Sequence, residues 1–389
     1  MMSRGQETDM ESRFKEIDQA IKESPQYVAQ REAKIAVARR TFEQSSGHQK
    51  YEEGYRLFEL YRPFVSDSAI YFLHQCIDLA EQSGDRSAAV QCRAQLAIRC
   101  TNIGLYDEAL NILDSIQLTG KEEELALGTY YEAYNNVYSE LSYYTRLEDM
   151  RHMYQAQEKR YAQLMFEHLP ATSETCFLRR EQIAQNEGKL QESMRINDEW
   201  LRTVEPGSHP YAMVALYRYI EYKLQRDTTQ MMYWLTESVL ADIRNAAMDQ
   251  GSMWELANEL MLRGDNKRAS SYISYTCDCA NRYGSRQRNW QIAPLLSQIA
   301  KNYKEQSERT TSQLWVAVAA ISVLALLLLG RSSSYTAETS RLLLPGMPSR
   351  IPTLSCRWSI RSCPCRKTSS LPSTPSSQRL MPNSPRATA

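Results

Sequence analysis

The residues best placed to do chemistry in this chain are aromatic and polar rather than catalytic. Leu127, Tyr130, Tyr131, Tyr134, Tyr138 and Leu141 recur at three- and four-residue spacing and so share one helical face. Such a face can receive a peptide in an aromatic groove. It can equally pack between neighbouring helices, with its phenol oxygens at the edge. Asn135-Asn136 and Arg179-Arg180 are two polar pairs able to line a concave surface and hold a carboxylate, and solvated helix faces are the competing reading. The candidate partner-binding residues are therefore Tyr130, Tyr134, Asn135, Tyr138, Arg179 and Arg180.

Other chemistry is hard to find. His48, His74, His152, His168 and His209 have no metal-ligand spacing, no Ser sits in a nucleophile elbow, and no Gly-rich phosphate loop occurs. Cys76, Cys92, Cys100 and Cys176 stand singly in helical patterns and read as small core residues. Cys277-x-Cys279 and Cys363-x-Cys365 are too closely spaced for a zinc knuckle. The carboxylates are scattered and nominate no acid/base pair. The expectation is a protein with no metal, no cofactor and no enzymatic activity.

The elements that would carry these residues are helices. Met10, Phe14, Ile17 and Ile21 mark a first helical face. Ser24-Pro25 reads as a cap followed by Pro in the first turn of a second helix, which runs to about Ser46 and stops at Gly47. Tyr51, Tyr55, Phe58 and Tyr61 form the next face, stopped by Pro63. Ser66 reads as the cap of another helix, with Ile70, Leu73, Ile77 and Ala80 inward and Gly84 as its end. No alternating β-branched run is long enough for a strand, so residues 1–330 read as all-α, with the helical repeat domain over residues 10–308.

A weak repeat runs through this region. Leu96-Ala97-x-x-Cys100 precedes Gly104-x-Tyr106-x-x-Ala109, and Leu256-Ala257-x-x-Leu260 precedes Gly264-x-Asn266-x-x-Ala269. Gly188-x-Leu190-x-x-Ser193 is a poorer copy. The pattern resembles the tetratricopeptide repeat, and the glycines lie 84 and 76 residues apart, room for two hairpins between each pair. Each hairpin has an apolar face it cannot bury alone, so a stacked solenoid is expected. A single large bundle is the alternative.

Residues 310–330 are a different kind of segment. No charge occurs between Arg309 and Arg331, and Leu314 to Leu329 is almost wholly apolar. At about 1.5 Å per residue a helix there reaches roughly 30 Å, the thickness of a bilayer core. Trp315 lies near one end, where an indole suits the interface, and Ile321, Val323 and Leu326 lie within the span.

The two ends are polar. Residues 1–9 are expected to be disordered, with no apolar stretch that would make a signal peptide. Residues 331–389 hold nine Arg or Lys and one acid, which leaves the preceding 330 residues at a net charge of −8. A mildly acidic repeat domain is a poor match for nucleic acid, so no nucleic-acid contact by residues 1–330 is expected. The tail is rich in Ser, Pro and Arg. It reads either as a disordered basic segment or as translation out of frame.

Phe14-Lys-Glu-Ile-Asp-Gln-Ala-Ile21, Pro25-Gln-Tyr27, Arg31-Glu-Ala-Lys-Ile35 and the run from Tyr61 through Ser66-Asp-Ser-Ala-Ile-Tyr71 carry a family resemblance. The chain resembles a Gram-negative bacterial family of membrane-anchored tetratricopeptide-like proteins with a domain of unknown function. The resemblance covers roughly residues 10 to 330. It implies a signal peptide, helical repeats outside the cytoplasm, one membrane helix, and then a cytoplasmic coiled coil and C-terminal domain. The signal peptide and the charged heptads are not seen in this sequence. The resemblance supplies no catalytic residues.

The functional expectation is a single-pass membrane protein whose repeats bind a protein or peptide partner, a sensor or regulator in intact relatives. With a signal peptide restored, the repeats would be periplasmic and the anchor would lie in the inner membrane. The alternative is a cytoplasmic tetratricopeptide scaffold held by a C-terminal anchor, and a more distant one is an enzyme of unknown class. Lys301, Lys304 and Arg309 on one side of the span balance Arg331, Arg341 and Arg350 on the other, so charge does not set the topology.

Overall fold

The computed structural model describes residues 4–249, 251–284 and 286–342. Among the described residues there are fourteen helices and no strand. The chain divides into two units, Met1–Val316 and Ala317–Ala389. The first holds α1 (Arg4–Gln44), α2 (Gly47–Tyr61), α3 (Ser66–Ser83), α4 (Arg86–Asn102), α5 (Tyr106–Asp114), α6 (Glu124–Tyr144) and α7 (Glu148–His168). It continues through α8 (Glu174–Asn186), α9 (Leu190–Leu201), α10 (His209–Gln225), α11 (Thr228–Arg244), α12 (Ser252–Leu262) and α13 (Asn266–Tyr283). The last helix, α14, spans Arg286–Leu342.

The repeat glycines do what their spacing demands. Gly104, Gly188 and Gly264 all have positive φ, between 72° and 89°. Each lets the next residue's N–H reach back five residues to a helix-end carbonyl: Leu105 to Cys100 at 2.8 Å, Lys189 to Ala184 at 2.8 Å, Asp265 to Leu260 at 2.9 Å. The small residues that follow permit close helix contact, and Ala109, Ser193 and Ala269 are fully buried. The same turn recurs between α10 and α11, where Arg226 takes the left-handed position at φ 62° and Asp227 N–H reaches Tyr222. A non-glycine residue at this position hides that copy from a sequence search.

Three local expectations are corrected. Ser24-Pro25 does not begin a helix, because α1 runs straight through Pro25. The missing proline donor costs about 3 kcal/mol in a helix interior. That cost is offset because α1 is held on both sides of the proline, by Ile17 and Ala20 in one core and Val28 and Ile35 in another. Ser66 is not a cap: Val65 stands at that position, and the buried Ser66 hydroxyl meets no partner among the described residues. The termini differ as well. Residues 4–9 are helical rather than disordered, and α14 continues through 331–342 rather than ending at Gly330. Residues 1–3 and the tail from 343 to 389 lie outside the described residues.

The repeat unit is more than a stack of nearest neighbours. Val28, Ile35 and Ala38 of α1 pack with Leu57, Phe58 and Leu73 of the first hairpins. Met10, Phe14, Ile17 and Ala20 pack with Leu235, Leu256, Ile273 and Ile299 of the last ones. Arg13 pairs with Glu237 at 2.7 Å, and the Tyr272 hydroxyl donates to Asp18 at 2.9 Å. Arg31 lies at the join. Its guanidinium donates to Leu60 O at 2.8 and 3.1 Å and to Asn245 O at 2.6 Å, carbonyls at the ends of α2 and α11. Burial and the nearby Arg62 push it down to about 10, so it stays charged at neutral pH. Beside it, Met248 N–H donates to Pro63 O at 2.7 Å.

A turn before α6 gives a test of the fold. The Glu122 side chain is buried and accepts from Thr119 Oγ1 at 2.7 Å and from the backbone N–H groups of Thr119, Gly120 and Lys121 at 2.8, 2.9 and 3.2 Å. The Thr119 bonds come first among the causes that hold its carboxyl down at about 2. A depressed folded-state pKa contributes stability above the unfolded value, about 4.3, and loses it as pH falls toward 2. Glu122→Gln should therefore lower Tm by a few degrees at pH 7, and the gap to wild type should close below about pH 3. Melting curves that stay parallel across that range would remove Glu122 from the account.

Candidate interaction surface

The sequence-predicted aromatic face lies on α6 and meets a second set of rings on α7. Tyr134 stacks on Tyr161 with centroids 4.4 Å apart and planes 8° apart. Tyr138 stacks on the same ring at 5.8 Å, and Tyr154 lies 6.2 Å from Tyr138. Tyr130 meets Tyr134 edge-on at 5.1 Å, and Tyr131 stacks on His168 at 5.4 Å. These offset and edge geometries suit ring quadrupoles and give packing beyond simple area burial. Gly128 permits the approach: a Cβ there would fall 2.4 Å from the Leu169 side chain at the end of α7.

Within the ladder, Tyr134 is buried and its hydroxyl donates to Asp114 of α5 at 2.5 Å. Burial first, and then the Asp114 bond, push its phenol well above the ordinary tyrosine range. Tyr130 and Tyr138 are half-buried, and burial raises both phenols too. Tyr161 is raised by burial as well, so these four phenols stay neutral at physiological pH.

Two of the polar candidates converge on one residue of the chain itself, Glu158, one at its backbone carbonyl and one at its carboxylate. Asn135 is buried and its Nδ2 donates to the backbone carbonyl of Glu158 at 2.7 Å. Arg179, on α8, donates from Nη1 to Glu158 Oε1 at 2.7 Å. Glu158 thus ties α6, α7 and α8 together, and Arg179 reaches it with little exposure of its own. Arg180 points elsewhere, 4.0 Å from Glu199, with its guanidinium over Phe177. The structure therefore brings Asn135 and Arg179 together and leaves Arg180 apart.

Glu158, Tyr154, Tyr161 and Asp114 escaped the sequence reading. Tyr154, Glu158 and Tyr161 are spaced four and three apart on one face of α7, and that spacing was a usable signal. The ladder ends in an apolar tip at the α6–α7 turn, where Tyr143, Leu147 and Met153 are 77%, 62% and 50% exposed.

Among the described residues no group of His, Cys, Asp and Glu could hold a metal ion. One constellation superficially resembles a triad: Asp242 faces His209 Nδ1 at 3.1 Å and accepts from Ser252 Oγ at 2.9 Å. Both contacts are to the carboxylate, so His209 does not face the Ser252 hydroxyl through this network and cannot activate it there. The arrangement ties the starts of α10 and α12 to the end of α11.

Among the described residues one helix is long and apolar enough to cross a membrane, by length and composition. Trp315, Ile321, Val323 and Leu326 lie on it, and all four are exposed.

A comparison with curated proteins finds no match. A scan against family models matches residues 21–294, well over half of the chain and nearly all of the helical repeats described above. The model is that of the SusR N-terminal TPR domain, and the chain belongs to this tetratricopeptide-type family.

Proposed function

We propose that the chain is a single-pass membrane protein whose repeat domain, residues 10–308, binds a protein or peptide partner, with no enzymatic step of its own. Helical repeats of this type are protein-interaction scaffolds. The observation that carries the membrane half of the reading is the exposure of the apolar helix. Val316, Ile321, Leu326 and Leu329 are each 65–69% exposed, on a segment with no charge from Thr310 to Gly330. Left in water, so large an apolar surface is strongly unfavourable, and hydrocarbon is the solvent that suits it.

The partner reading places contact on the α6–α7 face. Tyr130 and Tyr138 offer half-buried rings, and Tyr143, Leu147 and Met153 extend them at the tip. Aromatic and Met side chains are the residues that interfaces concentrate. Tyr134, Asn135 and Arg179 hold that face in shape from beneath. A benzophenone photocrosslinker at Met153 should give a discrete adduct, and the same group at Arg226 should not. Equally diffuse products from both positions would move the partner site elsewhere. Protease added to spheroplasts reads topology: digestion of the repeats supports the periplasmic arrangement, and protection supports the cytoplasmic scaffold.

A further inference from the structure

Two carboxylates lie buried against each other in the middle of the repeats. Glu181 of α8 and Glu221 of α10 have no solvent exposure, and Gln185 and Ser193 bridge them: Gln185 Nε2 donates to Glu181 Oε1 and, at 3.3 Å, to Ser193 Oγ, which itself donates to Glu221. Asn197 Nδ2 donates to both oxygens of Glu181 at 3.2 Å, and Gln185 adds a third bond at 3.2 Å. Ser193 Oγ donates to Glu221 Oε1 at 2.6 Å. Glu221 Oε2 is buried and meets no donor among the described residues, and a proton shared with Glu181 would satisfy it. Two like charges in contact inside a protein cannot both persist.

The surroundings neutralise the pair only in part. From α10, Arg218 donates to Asn197 Oδ1 at 2.7 Å and to the Asp198 carboxylate. Its positive charge favours the ionised form of both Glu181 and Glu221, while Asp198 of α9, paired with it, opposes that effect at Glu221. Tyr217 of α10 lies close enough to feel Glu181, with Arg179 of α8 and Glu140 of α6 acting on it in opposite senses.

We infer that Glu181 and Glu221 form a proton-binding site that holds one proton at neutral pH and makes the packing of α8, α9 and α10 sensitive to alkali. Burial first, and then the facing carboxylate, raise Glu181 far above the ordinary range; burial raises Glu221 as well. The sign follows from these directions. Groups raised in the folded state contribute stability that is complete below the unfolded value and lost as pH rises through the folded one. When the shared proton leaves, two adjacent buried anions remain, and separating α8 from α10 is the direct relief. Within the repeats this is a local, reversible opening, and it does not depend on where a partner binds.

The test uses the full chain in detergent. The infrared spectrum at pH 7 should contain the C=O stretch of a protonated carboxylic acid, absent from Glu181→Gln. The wild-type Tm should fall between pH 7 and pH 10 by more than that of Glu181→Gln. Glu221→Gln, which keeps the volume and supplies a neutral donor, is the second variant in case the first does not fold. An acid band unchanged in both variants, or an alkaline loss of Tm equal to wild type in both, would overturn the assignment.

Discussion

Replacing Val323 and Leu326 together by Arg should release the protein from the membrane. Each Arg near the centre of a membrane helix costs about 2.5–3.5 kcal/mol of insertion, so the pair costs roughly 5–7 kcal/mol. Both side chains are more than half exposed on an uncharged span, so no protein core is available to shelter the new charges. The wild-type chain should stay in the pellet through alkaline carbonate extraction, and the double variant should appear in the supernatant. Retention of the double variant would show that something other than this helix holds the chain. The repeat core should be unaffected, because Val323 and Leu326 contribute to none of its clusters.

The second large effect is expected at Arg31→Met. Methionine keeps the apolar stem and deletes three donors that serve the ends of two helices. Hydrogen bonds from a charged group contribute about 1.5–3 kcal/mol, and orphaned helix-end carbonyls add a desolvation penalty. A loss of about 3–5 kcal/mol is expected, read as a lower midpoint in urea. Because Arg31 joins α2 to α11, the transition should also broaden or split as the two halves lose cooperativity. An unchanged midpoint would mean that the apolar contacts of α1 alone hold those halves. Arg31→Lys should fall between the two, since a single ammonium lacks the planar fork that reaches both carbonyls.

Much of this architecture can be read from residue order, for identifiable reasons. Gly104, Gly188 and Gly264 mark turns that need a left-handed residue, and the small residues after them mark close helix contacts. The run from Leu314 to Leu329 marks a helix long and apolar enough to cross a membrane. What could not be read depends on contacts distant in sequence. Arg226 fills a glycine's conformation, which tertiary packing permits and local propensity disfavours. Pro25 looks like a helix start until α1 is seen to be gripped on both sides of it. Asn135 and Arg179 meet on Glu158, at its backbone carbonyl and its carboxylate, twenty-odd residues from either. The pairing of Glu181 with Glu221 is invisible without the hairpin packing that brings α8 to α10.

The reach of α1 across the repeats has a consequence for biosynthesis. Phe14 and Ile17 of α1 leave the ribosome well before their partners on α11 to α14. Arg13 waits 224 residues for Glu237, and Asp18 waits 254 residues for Tyr272. At about 5–20 residues per second the delay is roughly 10–50 s. Through that interval an apolar stripe stays uncovered on a nascent chain, while the hairpins after it can close locally as they emerge. The step that seats α1 on α11 to α14 can therefore come only after the intervening hairpins have emerged. Such high contact order makes that step slow and exposes the chain to aggregation before it is complete.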